Sequence, residues 1–207
     1  MSTTTSPTQQ QILDVAVQLF AEKGFTGTTL RNVVNGAKVN LGSVHYHFGS
    51  KEDLFRAVVA SIAEPVVKGQ LEALKQLEGT GEALTVEGVL RAFLAPPLQY
   101  VNQDQSRLVC AQFMGRCRTE PDPIRAIAAE EFSESQQTFL DVLQRVLPDQ
   151  TRSQLSWKLD LVIAALIRVQ LEAGKPSALL RSSSPEDVER AIAQLVRFLT
   201  PGMQLSK

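Results

Sequence analysis

Residues 39–55, VNLGSVHYHFGSKEDLF, decide the fold, and the rest of the chain is read outward from them. Asn40 has the short polar side chain that caps a helix start, and Leu41 to Phe48 form a short helix behind it. Ser50 opens the next helix, and Ser50-x-x-Asp53 resembles a capping box with Asp in place of Glu. Phe48 and Phe55 are core candidates. Upstream, residues 12–30 read ILDVAVQLFAEKGFTGTTL. Ile12, Leu13, Ala16, Leu19 and Phe20 recur at three- and four-residue spacing, the mark of an amphipathic helix. That helix is expected to start at Ser6-Pro7 and to end at Gly24 in a left-handed cap. Thr28 or Thr29 caps a second helix carrying Leu30, Val33, Val34 and Ala37, which breaks at Lys38-Val39.

Two short helices about four residues apart, the second entered through a polar cap, describe a helix-turn-helix. In such a pair the second helix puts its N-terminal end into the DNA major groove. Here that end is Asn40, Leu41, Gly42 and Ser43, and the small residues allow close approach to base edges. His45, Tyr46 and His47 follow, with N–H and O–H donors for phosphates. Lys51 joins an ammonium to the free N–H groups of the next helix start, and Thr28 and Thr29 offer donors at the second helix.

These same stretches resemble the DNA-binding domain of the TetR family of regulators. The resemblance implies an all-α fold. An N-terminal three-helix helix-turn-helix domain, residues 1–55, would precede a helical ligand-binding and dimerisation domain, residues 56–207. It places the DNA contacts on Thr28, Thr29, Gly42, Ser43, Tyr46, His47 and Lys51. His45 stands where many members carry a phosphate-touching tyrosine, and Tyr46 beside it can take that role. Lys38 stands where many members have a turn glycine. A left-handed backbone there costs a lysine on the order of 1 kcal/mol.

Charge departs from the family pattern. The formal net charge of the 207 residues is −1. Within residues 1–56, Lys23, Arg31, Lys38, Lys51 and Arg56 face Asp14, Glu22, Glu52 and Asp53, a balance of +1. Few phosphates can be neutralised, so a shallow salt dependence is expected.

The remainder reads as helices: 64–77, 86–101 with a disturbance at Pro96-Pro97, 106–118, 123–147, 151–173 and 185–199. Ser184-Pro185-Glu186-Asp187 joins a cap, a proline and two acids at a helix start. One late helix offers Leu155, Leu159, Val162, Ile163, Leu166 and Val169. The last offers Val188, Ile192, Leu195, Val196 and Leu199. These faces either fill the chain's own core or, as the resemblance implies, meet a symmetry mate through helices 151–173 and 185–199. A homodimer of that kind sets two recognition helices one DNA turn apart on a palindromic operator.

The resemblance also implies a small-molecule effector between reader and dimer helices. Candidates for its pocket are Phe93, Tyr100, Cys110, Phe113, Met114, Phe139 and Trp157, all of which serve equally as plain core. Arg107, Arg116, Arg118 and Arg125 either neutralise an anionic effector or form a solvated face with Glu120, Asp122 and Glu130. Arg168, inside an apolar helix, needs Asp160 or Glu172. Effector binding would move the fourth helix, 51–62, and spoil the half-site spacing, releasing a repressor. The alternative is control by redox or by a protein partner.

Cys110 and Cys117 lie about 10 Å apart on a straight helix, too far for a bridge within the chain. They are buried thiols, a redox sensor or an intersubunit link. No Ser–His–acid set, P-loop, dinucleotide fingerprint or metal-ligand spacing occurs, so neither an enzyme, a cofactor nor a metal centre is expected. The opening MSTTTSPTQQQ lacks the charged start and apolar run of a secretory signal, and no apolar stretch is long enough to span a bilayer. A cytoplasmic, non-membrane protein is the expectation.

Overall fold

The computed structural model describes residues 6–100 and 106–205, with the side chains of 106 and 107 outside the described residues. The described residues form ten α-helices and no strand. Helix α1 spans Pro7–Gly27, α2 Leu30–Ala37, α3 Leu41–Phe48, α4 Lys51–Gly79 and α5 Val86–Gln99. Then come α6 Ser106–Cys117, α7 Ile124–Glu131, α8 Ser133–Val146, α9 Arg152–Glu172 and α10 Pro185–Gln204.

Polar caps start most of these helices. The side-chain oxygens of Ser6, Thr29, Asn40, Ser50, Thr85, Thr151 and Ser184 each accept a backbone N–H of the first turn. Each satisfies one of the donors that a helix start leaves open.

The helices differ from expectation where proline or packing intervenes. Helix α4 runs unbroken through Pro65, which stands on its exposed side. Water can reach the Ser61 carbonyl that loses its partner there, so the helix survives. The predicted helix 123–147 is instead two, α7 and α8, meeting at Phe132 with φ −101° and ψ 0°. That bend turns the Phe132 ring into the core, where it is 4% exposed. Helix α10 continues past residue 199, through Pro201, to Gln204.

Gly24 is the one non-helical residue inside α1, at φ 71°. A Cβ there would lie 2.6 Å from Glu120 Oε1 and 3.0 Å from the Arg116 guanidinium, so glycine is required by conformation and by space alike. Lys38 adopts the left-handed conformation expected at the turn, φ 52° and ψ 38°.

Apolar side chains gather into two clusters. One is built from α5, α8, α9, α10 and the end of α4, and includes Phe93, Phe139, Leu155 and Ile192. The other joins α1–α4 to α6 and α7: Phe113, Met114, Ile127 and Phe132 pack with Phe20, Phe48 and Phe55. Residue 55 falls within α4. The helix that carries it runs on, and its core is completed from α6 and α7.

The apolar faces of α9 and α10 named from sequence are mostly consumed within the chain. Leu155, Leu159, Val162, Leu166, Val188, Ile192, Leu195 and Val196 are all buried. Arg168 pairs with Glu172 at 3.2 Å, one of its two expected partners.

Candidate nucleic-acid interface and effector cavity

Helix α3 is held by two side chains four residues apart, Val44 and Phe48, both buried. The opposite face points outward: Leu41 is 48% and Tyr46 86% exposed, and Gly42 and His45 are exposed between them. Asn40 Oδ1 accepts the Ser43 N–H at 2.8 Å and the Ser43 hydroxyl at 3.2 Å. His45 Nδ1 lies 2.6 Å from the Gly49 carbonyl, so Nδ1–H donates there and Nε2 of the neutral ring is left as an acceptor. The half-buried His47 ring meets Tyr46 edge to face at 5.1 Å.

The neighbouring helix starts are differently disposed. Thr29 is exposed and locked in a reciprocal cap with Asn32, its hydroxyl donating to Asn32 Oδ1 at 2.7 Å. Thr28 is fully buried, and its hydroxyl bonds the Gly24 carbonyl at 2.8 Å and the Leu19 carbonyl at 3.1 Å. Its side chain therefore faces the core rather than a phosphate. Lys51 Nζ donates to the carbonyls of Phe25 and Thr28, each at 3.0 Å, and sits 4.1 Å above the Phe25 ring. It ties the start of α4 to the α1–α2 corner, leaving one ammonium N–H for an outside acceptor. The Ser50–Asp53 capping box forms, and the Ser50 bonds hold the Asp53 carboxyl below its ordinary pKa.

Helix α6 reaches this reader from the other side. Arg116 donates to the carbonyls of Ala21 and Glu22, at 3.4 and 3.3 Å, and Glu120 Oε1 accepts the Phe25 N–H at 3.0 Å. These contacts span about ninety-five residues of chain, and only Gly24 at the helix end hints at them in sequence.

Four of the seven pocket candidates line one internal cavity of about 20 Å³: Phe93, Tyr100, Cys110 and Met114. Three do not. Phe113 fills the junction between the Phe20 and Phe55 rings, at 6.3 and 5.6 Å. Phe139 packs edge to face on Phe93 at 5.0 Å, within the α5–α8 core. Trp157 lies on the outer surface, 52% exposed. The cavity also has members that sequence patterning did not single out. Gln70 sits there because Pro97 has no N–H for the Phe93 carbonyl one turn back, and Gln70 Nε2 donates to that carbonyl at 2.8 Å. Its Oε1 accepts the Ser135 hydroxyl at 2.7 Å. Gln170 is 4% exposed, and its Oε1 has no partner among the described residues.

Of the four arginines, Arg116 is bound to α1, and Arg125 pairs with Asp122 at 2.7 Å. The Arg107 side chain lies outside the described residues. Arg118 reaches the cavity wall, its guanidinium 4.1 Å over the Phe132 ring. Burial pulls its pKa below the usual value. Cys117 is buried and donates to the Met114 carbonyl at 3.3 Å, and burial pushes its thiol up to about 12. Cys110 is half-buried.

On the outer side of α9 and α10, Trp157, Leu161, Phe198 and Leu205 are each at least half exposed. They border an apolar groove of about 460 Å³. Lys158 closes its floor, donating to Gln150 Oε1 at 2.6 Å and to the Met203 carbonyl at 3.1 Å.

A capped, outward-facing α3 held against α2 by a tight turn, beneath a larger helical body, defines a helix-turn-helix regulator that binds DNA. Residues 12–58 match the family model of bacterial regulatory proteins of the tetR family, and residues 91–202 match the tetracyclin repressor-like C-terminal domain. The chain belongs to the TetR family of transcriptional regulators. It is 30% identical over 149 residues to the HTH-type transcriptional regulator AcrR of Shigella flexneri, covering 68% of this chain and 67% of that protein. It is 29% identical over 187 residues to the HTH-type transcriptional repressor Rv1474c of Mycobacterium tuberculosis, covering 90% and 88%. The fold is also that of the regulator FadR from Bacillus subtilis, solved in complex with stearoyl-CoA. There the TM-score is 0.62 at 15% identity, covering 93% of this chain and 98% of that one. No described helix is long and apolar enough to cross a membrane.

Proposed function

We propose that the protein is a homodimeric repressor that grips a palindromic operator with two copies of α3 and lets go when a small molecule enters the cavity beside α6. The carrying observation is the outward face of α3. Tyr46, 86% exposed, is held out by a helix whose other face buries Val44 and Phe48, and no core position among the described residues explains it. Leu41, Gly42 and Ser43 present the base-reading end. Tyr46 and the remaining Lys51 N–H position the phosphates, and Thr28 and Thr29 act through their caps instead.

The apolar face of Trp157, Leu161, Phe198 and Leu205 supports a twofold partner on α9 and α10. A contiguous apolar patch rimmed by polar residues marks an interaction surface. The effector reading rests on the cavity and on α6, which lines it with Met114 and grips the end of α1 with Arg116. A shift of α6 is transmitted to the reader by those contacts, and a shift of α4 by Lys51. The buried, protonated Cys117 favours a ligand over thiol oxidation as the signal.

The test is fluorescence anisotropy on DNA flanking the gene, with sedimentation velocity on the free protein. Tyr46→Ala should weaken operator binding at least about tenfold while leaving the melting temperature unmoved, since exposed substitutions change stability by only about 0.5 kcal/mol. Phe198→Asp should yield monomers that no longer bind. The salt slope should be shallower than about −6, from few neutralised phosphates. A monomeric wild type that ignores duplex DNA at low salt would end this reading.

A further inference from the structure

We infer that the effector is a small carboxylate carrying a nearby hydroxyl or amide N–H, its anion on Arg118 and its donor on Gln170. The inference rests on the effector reading above and names the ligand's chemistry.

The cavity wall holds two polar groups that the fold leaves unanswered. Gln170 Oε1 is enclosed and accepts from none of the described residues, although the other buried amides, Gln70 and Gln150, are bonded through both their nitrogen and their oxygen. A buried carbonyl oxygen without a donor is destabilising, and such an atom at a cavity wall marks a place for a ligand group. Arg118 is the second. Its guanidinium is drawn off solvent and laid on the Phe132 ring, yet it makes no ion pair among the described residues. Arg116, near the end of α6, and Arg125, on α7, are both taken by acids or carbonyls. Arg118 also lines a surface groove together with Asp122, Arg125, Asp160, Ile163 and Ile167, so it stands between cavity and exterior.

The rest of the wall sets the body of the ligand. Ile62, Val66, Phe93, Met114 and Leu166 are apolar. The enclosed volume of about 20 Å³ is that of one water, so a body of a few carbons already requires Met114 to yield. A long acyl chain would require the helices to part. An anion, a donor and a short apolar body together describe a hydroxy- or acylamino-carboxylate.

The experiment uses the purified full-length protein and three matched probes: 3-hydroxybutyrate, butyrate and the uncharged 1,3-butanediol. Titration calorimetry without DNA reads binding, and operator anisotropy reads release separately. The expected order is 3-hydroxybutyrate, then butyrate, with butanediol not binding. Arg118→Gln should weaken the acids about tenfold or more, the loss expected for a charge-assisted bond. Gln170→Leu should equalise the two acids, and in the ligand-free protein it should raise the melting temperature by a few degrees, about 2–4 °C, because it removes an unanswered polar group. Equal binding of acid and diol, an Arg118→Gln variant that binds acids like wild type, or a Gln170→Leu variant that melts lower would each overturn the inference. Failure of all three probes to bind a protein that still holds its operator would also overturn it, leaving the DNA-binding reading intact. Calorimetric binding without operator release would uphold the site and refute its role as the effector pocket.

Discussion

Replacing Gly115 with alanine tests how closely α6 and α9 pass. A Cβ at 115 would lie 2.8 Å from the Leu171 nitrogen, 2.9 Å from Leu171 Cγ and 3.1 Å from the Ile167 carbonyl oxygen. Two of these atoms belong to backbone, so no rotamer change relieves the clash and one helix must move. Alanine in place of glycine favours a helix interior by about 1 kcal/mol. Overpacking a close contact costs about 1–3 kcal/mol, and a contact onto rigid backbone sits at the upper end. The net loss is about 1–2 kcal/mol, which for a chain of this size lowers the melting temperature by about 3–6 °C. The assay is thermal unfolding followed by circular dichroism at fixed protein concentration, because any self-associating chain melts in a concentration-dependent way. Gly79→Ala is the control: nothing lies within 4 Å of a Cβ there, and its stability should hold or rise slightly. The same displacement would separate Ala111 and Met114 from Leu166 and Gln170 and so enlarge the cavity between them. A Gly115→Ala protein as stable as wild type, alongside an unchanged Gly79→Ala, would refute the packing argument.

Three further outcomes follow from the structure. Lys51→Met keeps an apolar stem over Phe25 but deletes two bonds to carbonyls; it should lower stability by about 1–2 kcal/mol, discounted from buried values because water reaches the site, and weaken operator binding as well. An unchanged melting curve would mean that those bonds do not form in solution. The Ser182 hydroxyl, and then Arg190 and Arg181, hold the Asp187 carboxyl below its ordinary value of 3.8. Its contribution is thus complete above that pH and disappears as pH falls through and below it, and Asp187→Asn should flatten the acid limb of a stability–pH profile. Cys117, with its thiol pushed up to about 12, holds only about one part in ten thousand thiolate at pH 8; iodoacetamide on the folded protein should label Cys110 and spare Cys117, as peptide mass spectrometry would reveal.

What sequence patterning made legible was local. Ser6, Asn40, Ser50 and Ser184 announce helix starts because a cap acts on atoms three residues away. The left-handed Lys38 was suggested only by the family resemblance, which puts a turn glycine there. Features that depend on which helix passes which were not legible. Trp157 has the same apolar character whether it faces a cavity or a partner, and only the packing of α9 places it outside. The Thr28 hydroxyl was expected at a phosphate, but the kink at Gly24 exposes carbonyls that claim it. Gln70 answers a vacancy made by a proline twenty-seven positions later, which periodicity along one helix does not register.

The second apolar cluster bears on how regulators of this kind can be recombined. Phe113, Met114 and Phe132 close the core that Phe20, Phe48 and Phe55 open. A graft of this reader onto another sensor, cut after the third or fourth helix, would strip those rings of the α6 and α7 side chains they pack on and hand them strangers. A working chimera has to carry α6 and α7 along with the reader, so the smallest transplantable module here is discontinuous in the gene.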